Sequence, residues 1–220
     1  SLGNVNTAVL SPSRYGDQHR IVGQLNKQFN YGKDGRWRTS IGAFYEYAKG
    51  GRFSYTYSGD INNDGSGLND LIYIPTQSEL QQYTFSGDAT QQEAQRQAFE
   101  SYIQQDDYLS ENRGDYAEKY GILSPWRGRW DVKLLQDYNF KVGEKTNTIE
   151  LSLDVLNFGN LLNSDWGVIE MPVNDQPIGV TVGSDNVPVY SFGTEQKRTF
   201  GYDFSLESRW QAQVGLRYIF

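Results

Sequence analysis

The chain contains no cysteine, a single histidine and a single methionine in 220 residues, and only 37% of it is hydrophobic. Without cysteine there is no disulfide framework, no thiol nucleophile and no thiolate-held metal. His19, the one histidine, has no nucleophile motif beside it, so a Ser-His-Asp apparatus finds no support. The acids are too scattered to single out a glycosidase pair. No enzyme is expected. Basic residues are outnumbered, 20 Lys and Arg against 27 Asp and Glu, and the net charge of −7 argues against a nucleic-acid partner. Long apolar runs are missing too: no stretch approaches the ~18 residues a spanning helix needs, and mean hydropathy is −0.66. The chain opens Ser-Leu-Gly, with neither initiator Met nor an export signal, and is expected to be a mature product or a fragment.

Aromatic residues and strict alternation are abundant. Aromatics make up 15% of the chain, with 16 Tyr, beside 23 Gly. In Arg209–Phe220, Trp210, Ala212, Val214, Leu216, Tyr218 and Phe220 fall on one face and mostly polar residues on the other. Period two is the signature of a strand. Rings at both ends of the apolar face, with aliphatics between, fit a strand that crosses a bilayer of which only ~10 alternating residues are required. A soluble edge strand would also alternate, and is the competing interpretation.

Four more segments alternate, giving expected strands at about 19–31, 36–57, 127–141, 148–157 and 209–220. Folding the first two about a turn at 32–35 sets Leu25 beside Ala43 and Phe29 beside Thr39, apolar face to apolar face. Phe53, Tyr55 and Tyr57 read as an extension of the second strand beyond the bilayer. A second turn is expected at 142–147, long connections at 58–126 and 158–208, and a loop or loop end over 1–18. The first connection contains one helix signal: Thr90 and Glu93 read as a capping box, followed by Ala94, Ala98, Phe99, Tyr102 and Ile103 at helical spacing to about Gln105. Val187–Phe192 reads as a short strand in the second. Connections that run short, long, short, long suit up-and-down threading of an outer-membrane barrel, with short turns periplasmic and long loops extracellular. Phe29, Trp37, Tyr138, Phe140, Tyr218 and Phe220 then gather at the inner interface, and Tyr45, Tyr47, Trp130 and Trp210 at the outer one.

The expected fold is therefore all-β, an antiparallel transmembrane β-barrel with long extracellular loops, one holding a short helix. Five strands cannot close such a barrel, because single-chain bacterial barrels use at least eight. Either the insertions hide three or more further strands or, as the missing export signal favours, the remaining strands come from a preceding polypeptide, with lipid from the outer membrane of a Gram-negative cell expected to cover the outside.

Asp60-Ile61-Asn62-Asn63-Asp64-Gly65 has the D-x-N-x-D-G arrangement of a calcium loop. Asp60, Asn62, Asp64, the Ser66 carbonyl and Asp70 are the candidate ligands for Ca2+. Leu71 stands where an EF-hand has Glu, and the alternative is an Asx- and Gly-rich turn. Charged residues on the polar strand faces, from Arg20, Arg36, Arg38 and Glu46 to Asp131, Lys133, Asp137, Glu150, Asp154, Arg209 and Arg217, are mixed in sign. Salt-bridged packing inside a plugged barrel is their expected role, contact with plug or solute the sharper one.

Several segments together resemble the C-terminal part of a TonB-dependent outer-membrane receptor of the Oar-like, carboxypeptidase-regulatory-domain type. They are Gly59–Gly65 running to Asn69-Asp70-Leu71-Ile72-Tyr73-Ile74-Pro75, Asn112-Arg113-Gly114, Pro125-Trp126-Arg127, Asp131–Asp137, Asn157–Asn163 and the terminal strand. The resemblance implies a 22-stranded barrel, an N-terminal plug and a segment that contacts TonB. The partners it implies are the N-terminal part of the same receptor with its plug and remaining strands, TonB through that part, and optionally a surface lipoprotein. Two rival expectations stand beside it: an outer-membrane adhesin or structural barrel without transport, and a soluble calcium-binding β-domain whose apolar strand faces meet a second sheet.

Overall fold

The computed structural model describes residues 10–15 and 19–220. Of the loop expected over 1–18, residues 1–9 and 16–18 lie outside the described residues, and the remainder is irregular with a turn at Arg14–Tyr15. In chain order come β1 (Arg20–Tyr31), β2 (Trp37–Lys49), β3 (Arg52–Phe53), β4 (Tyr73–Ile74), α1 (Gln77–Leu80), α2 (Ala89–Gln105) and α3 (Asp107–Glu111). They are followed by β5 (Asp115–Tyr116), β6 (Ile122–Leu123), β7 (Trp126–Val142), β8 (Lys145–Leu156) and α4 (Phe158–Leu162). The chain ends with β9 (Glu170–Pro172), β10 (Ile178–Val182), β11 (Pro188–Phe192), β12 (Phe200–Tyr202) and β13 (Gln211–Ile219). Strands take 44% of the chain and helices 18%, so the protein is mostly β, and every ladder between its strands for which the register is defined is antiparallel. Among the described residues no helix is long and apolar enough to cross a membrane.

The chain divides into two compact units. Unit 2 comprises residues 17–50, 125–170 and 202–220. It is built on one sheet in the order β1-β2-β7-β8-β13, whose outer edges at β1 and β13 are unpaired among the described residues. Alternation set its register: Leu25 lies opposite Ala43 and Phe29 opposite Thr39, Ile41 faces Leu134, Leu134 faces Leu153 and Leu151 faces Leu216. A shift of one residue would turn each apolar set to the wrong face. The hairpin expected to turn over 142–147 is tighter, because Val142 pairs with Lys145 and Lys141 with Thr146. Gly143, at φ 64°, occupies the left-handed region that such a two-residue turn demands. The fourth strand therefore starts at Lys145 rather than 148.

Unit 1 comprises residues 1–16, 51–124 and 171–201. The extension of the second strand to residue 57 is corrected here. β2 ends at Lys49, and Phe53, Tyr55 and Tyr57 belong to the core of unit 1, Tyr55 with no exposed surface. The same alternation serves another purpose: β3 pairs with β6, and the Ile72 N–H donates to the Tyr55 carbonyl at 3.2 Å. The two long connections are thus not separate polar loops. Ser58 N–H donates to Ile178 O and Val180 N–H to Ser58 O, both at 3.0 Å, so backbone bonds join them. Gly59 permits that approach, since a Cβ there would lie 2.1 Å from the Val180 carbonyl oxygen.

Helix α2 is capped two residues before the expected position, by Asp88 rather than Thr90. Asp88 accepts from the Gln91 N–H while the Gln91 side chain accepts from the Asp88 N–H, both at 2.9 Å, and Glu93 pairs with Arg96 instead. Its Phe99 and Tyr102 rings pack on Phe192 at 5.1 and 5.5 Å between centroids. The expected strand at 187–192 is β11, and its hairpin partner β10 carried no clear signal of its own.

Candidate functional site

The sheet of unit 2 separates its side chains by chemistry. One face carries Ile21, Leu25, Ile41, Leu134, Leu151, Val214 and Leu216, all exposed, the last at 78%. Aromatic rings form a row at each end of this face. Near the short turns, Trp37 packs on Tyr138 (4.6 Å between centroids), followed by Tyr138 on Phe140, Phe140 on Tyr218 and Tyr218 on Phe220. At the opposite end, Tyr45 packs on Trp130 (4.3 Å) and on Tyr47, and Tyr47 on Trp126 (4.7 Å). Trp210, expected in that row, makes no ring pair among the described residues; its backbone N–H donates to Asn160 Oδ1. Phe29 likewise stands apart, with the Lys27 ammonium 5.8 Å from its ring centre. Trp126 joins this second row although the sequence pattern passed over it. Its position one turn of the pleat from Gly128 and Trp130, on the same face, was the available signal.

The other face holds the charges in pairs of opposite sign: Arg20 with Glu46 at 2.6 Å, Arg38 with Asp137, Arg129 with Asp131 at 2.7 Å, Lys133 with Asp154 at 2.8 Å and Arg217 with Glu150 at 3.4 Å. Arg129 had not been singled out. Arg36 and Arg209 join none of these pairs. Such pairing keeps ionised groups on a crowded face without an excess of either sign.

The Asp60–Asp70 loop closes on itself. Asp60 accepts the N–H groups of Asp64 (3.1 Å) and Gly65 (2.8 Å), Asp64 accepts that of Ser66 (2.9 Å), and Asp70 accepts that of Ile61 (3.1 Å). The amide of Asn62 donates to Asp70 at 2.5 Å, and that of Asn69 to Asp64 at 3.0 Å. These bonds hold the Asp64 carboxyl below its usual range, Asn69 contributing most. Asp70 moves upward, because burial penalises its charge and Asp64 and Asp60 repel it. The acids meet in pairs bridged by amides: among the described residues no group of three or more His, Cys, Asp or Glu side chains is placed to hold a metal ion. One feature does suit a cation. Asn69 is buried beside Asp64, and its Oδ1 has no hydrogen-bond partner.

Two further arrangements in unit 1 had no sequence signal, because their members are distant in the chain. Buried Asp106 accepts hydrogen bonds from the hydroxyls of Tyr55 (2.6 Å) and Thr199 and from the Leu109 N–H (2.9 Å), where it caps α3. Burial pushes the Tyr55 phenol far up, so it stays a donor. This centre locks the two insertions together. The second is a hollow of about 380 Å3 walled by Tyr73, Tyr83, Tyr190 and Pro188 with Glu79 at its side.

Comparison of the chain with family models, curated proteins and solved structures returns no match. The class that the fold itself defines is a mostly antiparallel β protein with an open five-stranded sheet.

Proposed function

We propose that the chain is the C-terminal barrel segment of a TonB-dependent outer-membrane receptor, taking part in energised uptake of a solute into a Gram-negative cell. The observation that carries this reading is the two-faced sheet of unit 2: an exposed apolar face bounded by aromatic rows, and every ion pair of the sheet on the opposite face. In water, an apolar face of that extent would be an association or aggregation surface. In a bilayer the aliphatics meet hydrocarbon, the rings sit at the two interfaces, and the paired charges face inward.

The two open edges complete the argument. An unpaired strand edge facing lipid leaves backbone groups unsatisfied at several kcal/mol each. The edges of β1 and β13 therefore call for further strands, and the N-terminal part of the same receptor supplies them in a 22-stranded barrel. That part also brings the plug and the segment through which TonB delivers energy. In this reading the short turns are periplasmic and unit 1 is the extracellular portion that meets solute, with a surface lipoprotein as a further partner.

We also propose Ca2+ as a ligand of the Asp60–Asp70 loop. Asp60, Asn62, Asp64, the Ser66 carbonyl and Asp70 would hold it, relieving the repulsion that burdens Asp70 and engaging the idle Asn69 oxygen. The ion would supply cross-linking of the loop, not chemistry.

Extraction from the native membrane tests the main reading. Co-elution in detergent with the remaining strands and plug, on a larger chain or a longer polypeptide, is expected. A monodisperse 25.1 kDa species in plain buffer would overturn it in favour of the soluble β-domain.

A further inference from the structure

We infer that the tyrosine-walled hollow of unit 1 is a binding site for an organic cation, an ammonium or guanidinium head on an alkyl stem. The inference names a solute class for the transport reading and rests on that reading for its place in uptake, though not for binding itself.

The walls come first. Tyr83 and Tyr190 stack at 4.2 Å and 15°, and Tyr73 meets Tyr116 edge-on at 5.2 Å. The rings are fixed before any ligand arrives. Tyr190 is anchored by backbone bonds to Thr84 and Ser86 at 2.9 Å each, and the Tyr73 hydroxyl donates to Glu79 Oε1 at 2.9 Å. Faces of such rings attract cations through their quadrupole, and a fixed wall costs little ordering on binding. The volume of about 380 Å3 falls in the range of small-ligand sites.

Charge decides the class of ligand. Among the described residues, Glu79 is the only carboxylate lining the hollow, and no Lys, Arg or His lines it. Its Oε2 accepts the N–H and the hydroxyl of Thr76, both at 2.8 Å, and it takes part in none of the ion pairs found among the described residues. The carboxylate oxygens are engaged with Thr76 and Tyr73, which leaves negative charge rather than free directional acceptors. That favours a diffuse cation over the hydroxyls of a sugar. The surrounding unit reinforces the sign: its three segments hold fifteen acidic against seven basic residues, a net charge of −8, whereas unit 2 holds twelve against thirteen. A single-signed field of this kind concentrates counter-ions near the surface.

Calorimetric titration of the full chain, in detergent or with its partner strands, tests the inference with tetramethylammonium and its neutral isostere 3,3-dimethylbutanol. The cation is expected to bind about ten-fold more tightly than the isostere. Glu79→Gln, which preserves the capping box of α1, should weaken the cation about five-fold, and Tyr73→Leu should do the same at unchanged unfolding midpoint. Arginine amide and a Gly-Arg-Gly peptide then separate a free small cation from a basic side chain on a peptide as the source. Equal affinity for the neutral isostere overturns the inference, and so does saturable binding of a neutral disaccharide that Glu79→Gln leaves unaltered, or no saturation by any cation at millimolar concentration. The isostere comparison uses the unmodified chain, so it decides even if a variant fails to fold. Should the chain prove soluble in plain buffer, the transport reading falls while the same titration there still judges the site.

Discussion

The two units spend their apolar residues in opposite ways. Of the eighteen buried hydrophobic residues among those described, all but Val155 lie in unit 1. Unit 2 leaves many of the apolar residues on its strands exposed, with Leu25 at 71% and Val214 at 70%. Unit 1 thus carries its own core, built on Tyr55, Phe99 and Ile103. Among the described residues, the apolar face of the unit 2 sheet has no second layer packed on it. In the proposed membrane reading, one chain joins a body with its own apolar core to a wall whose apolar face meets lipid.

Paired substitutions sharpen this contrast. Phe99→Ala should destabilise unit 1 by about 3–5 kcal/mol, the cost of a core cavity, whereas Leu216→Ala, already exposed, should cost under about 1 kcal/mol; chemical unfolding of each variant in detergent reads the difference. Next, Leu151→Arg should oppose folding into bilayers by about 2–4 kcal/mol, while Ser152→Arg, one residue along on the other face, should have a far smaller effect. Equal penalties would remove the distinction between the faces. Asp106→Asn should cost unit 1 about 1–3 kcal/mol by weakening the charge-assisted bonds to Tyr55 and Thr199, and should leave unfolding of the sheet unchanged. Calcium at ten to a hundred times its Kd should stabilise unit 1 by about 1–3 kcal/mol, and Asp64→Asn should abolish that gain; a Tm that ignores calcium would refute the loop proposal.

The smallest effect is in pH. Bonds from the Thr76 N–H and hydroxyl hold the Glu79 carboxyl below its usual range. A carboxyl lowered on folding adds stability at neutral pH and loses it as pH falls through and below that range. The unfolding midpoint of unit 1 should therefore drop on acidification, with a slightly shallower slope in Glu79→Gln.

The sheet was legible because its information is local. Ile149, Leu151, Leu153 and Val155 alternate without interruption, and a short turn leaves only one register that keeps apolar residues together. Unit 1 was not legible for the converse reason. Its two-residue strands pair across long separations, Arg52 with Leu123 and Tyr73 with Tyr116, and no period survives over two residues. Phe53, Tyr55 and Tyr57 alternate as the strands of the sheet do, and only their burial tells them apart. At α2, Asp88 with Gln91 and Thr90 with Glu93 are overlapping capping boxes; the chain uses the first, directly after Gly87 at φ 95°. The Asp60–Asp70 loop shows a limit of another kind, since its motif names the acids but not the amides that bridge them. The cation site joins Tyr73 to Tyr190, and only folding brings them together.

A nitroxide scan of residues 149–155, in a chain that lacks native cysteine to interfere, tests the central claim most directly. Single cysteines carry the label in membranes that contain the protein with its partner strands, and accessibility is read with oxygen and with a water-soluble nickel complex. The account predicts period-two oscillation, with oxygen accessibility highest and nickel accessibility lowest at 149, 151, 153 and 155. Nickel maxima at those same positions would mean that water, not lipid, covers the apolar face, and would contradict it.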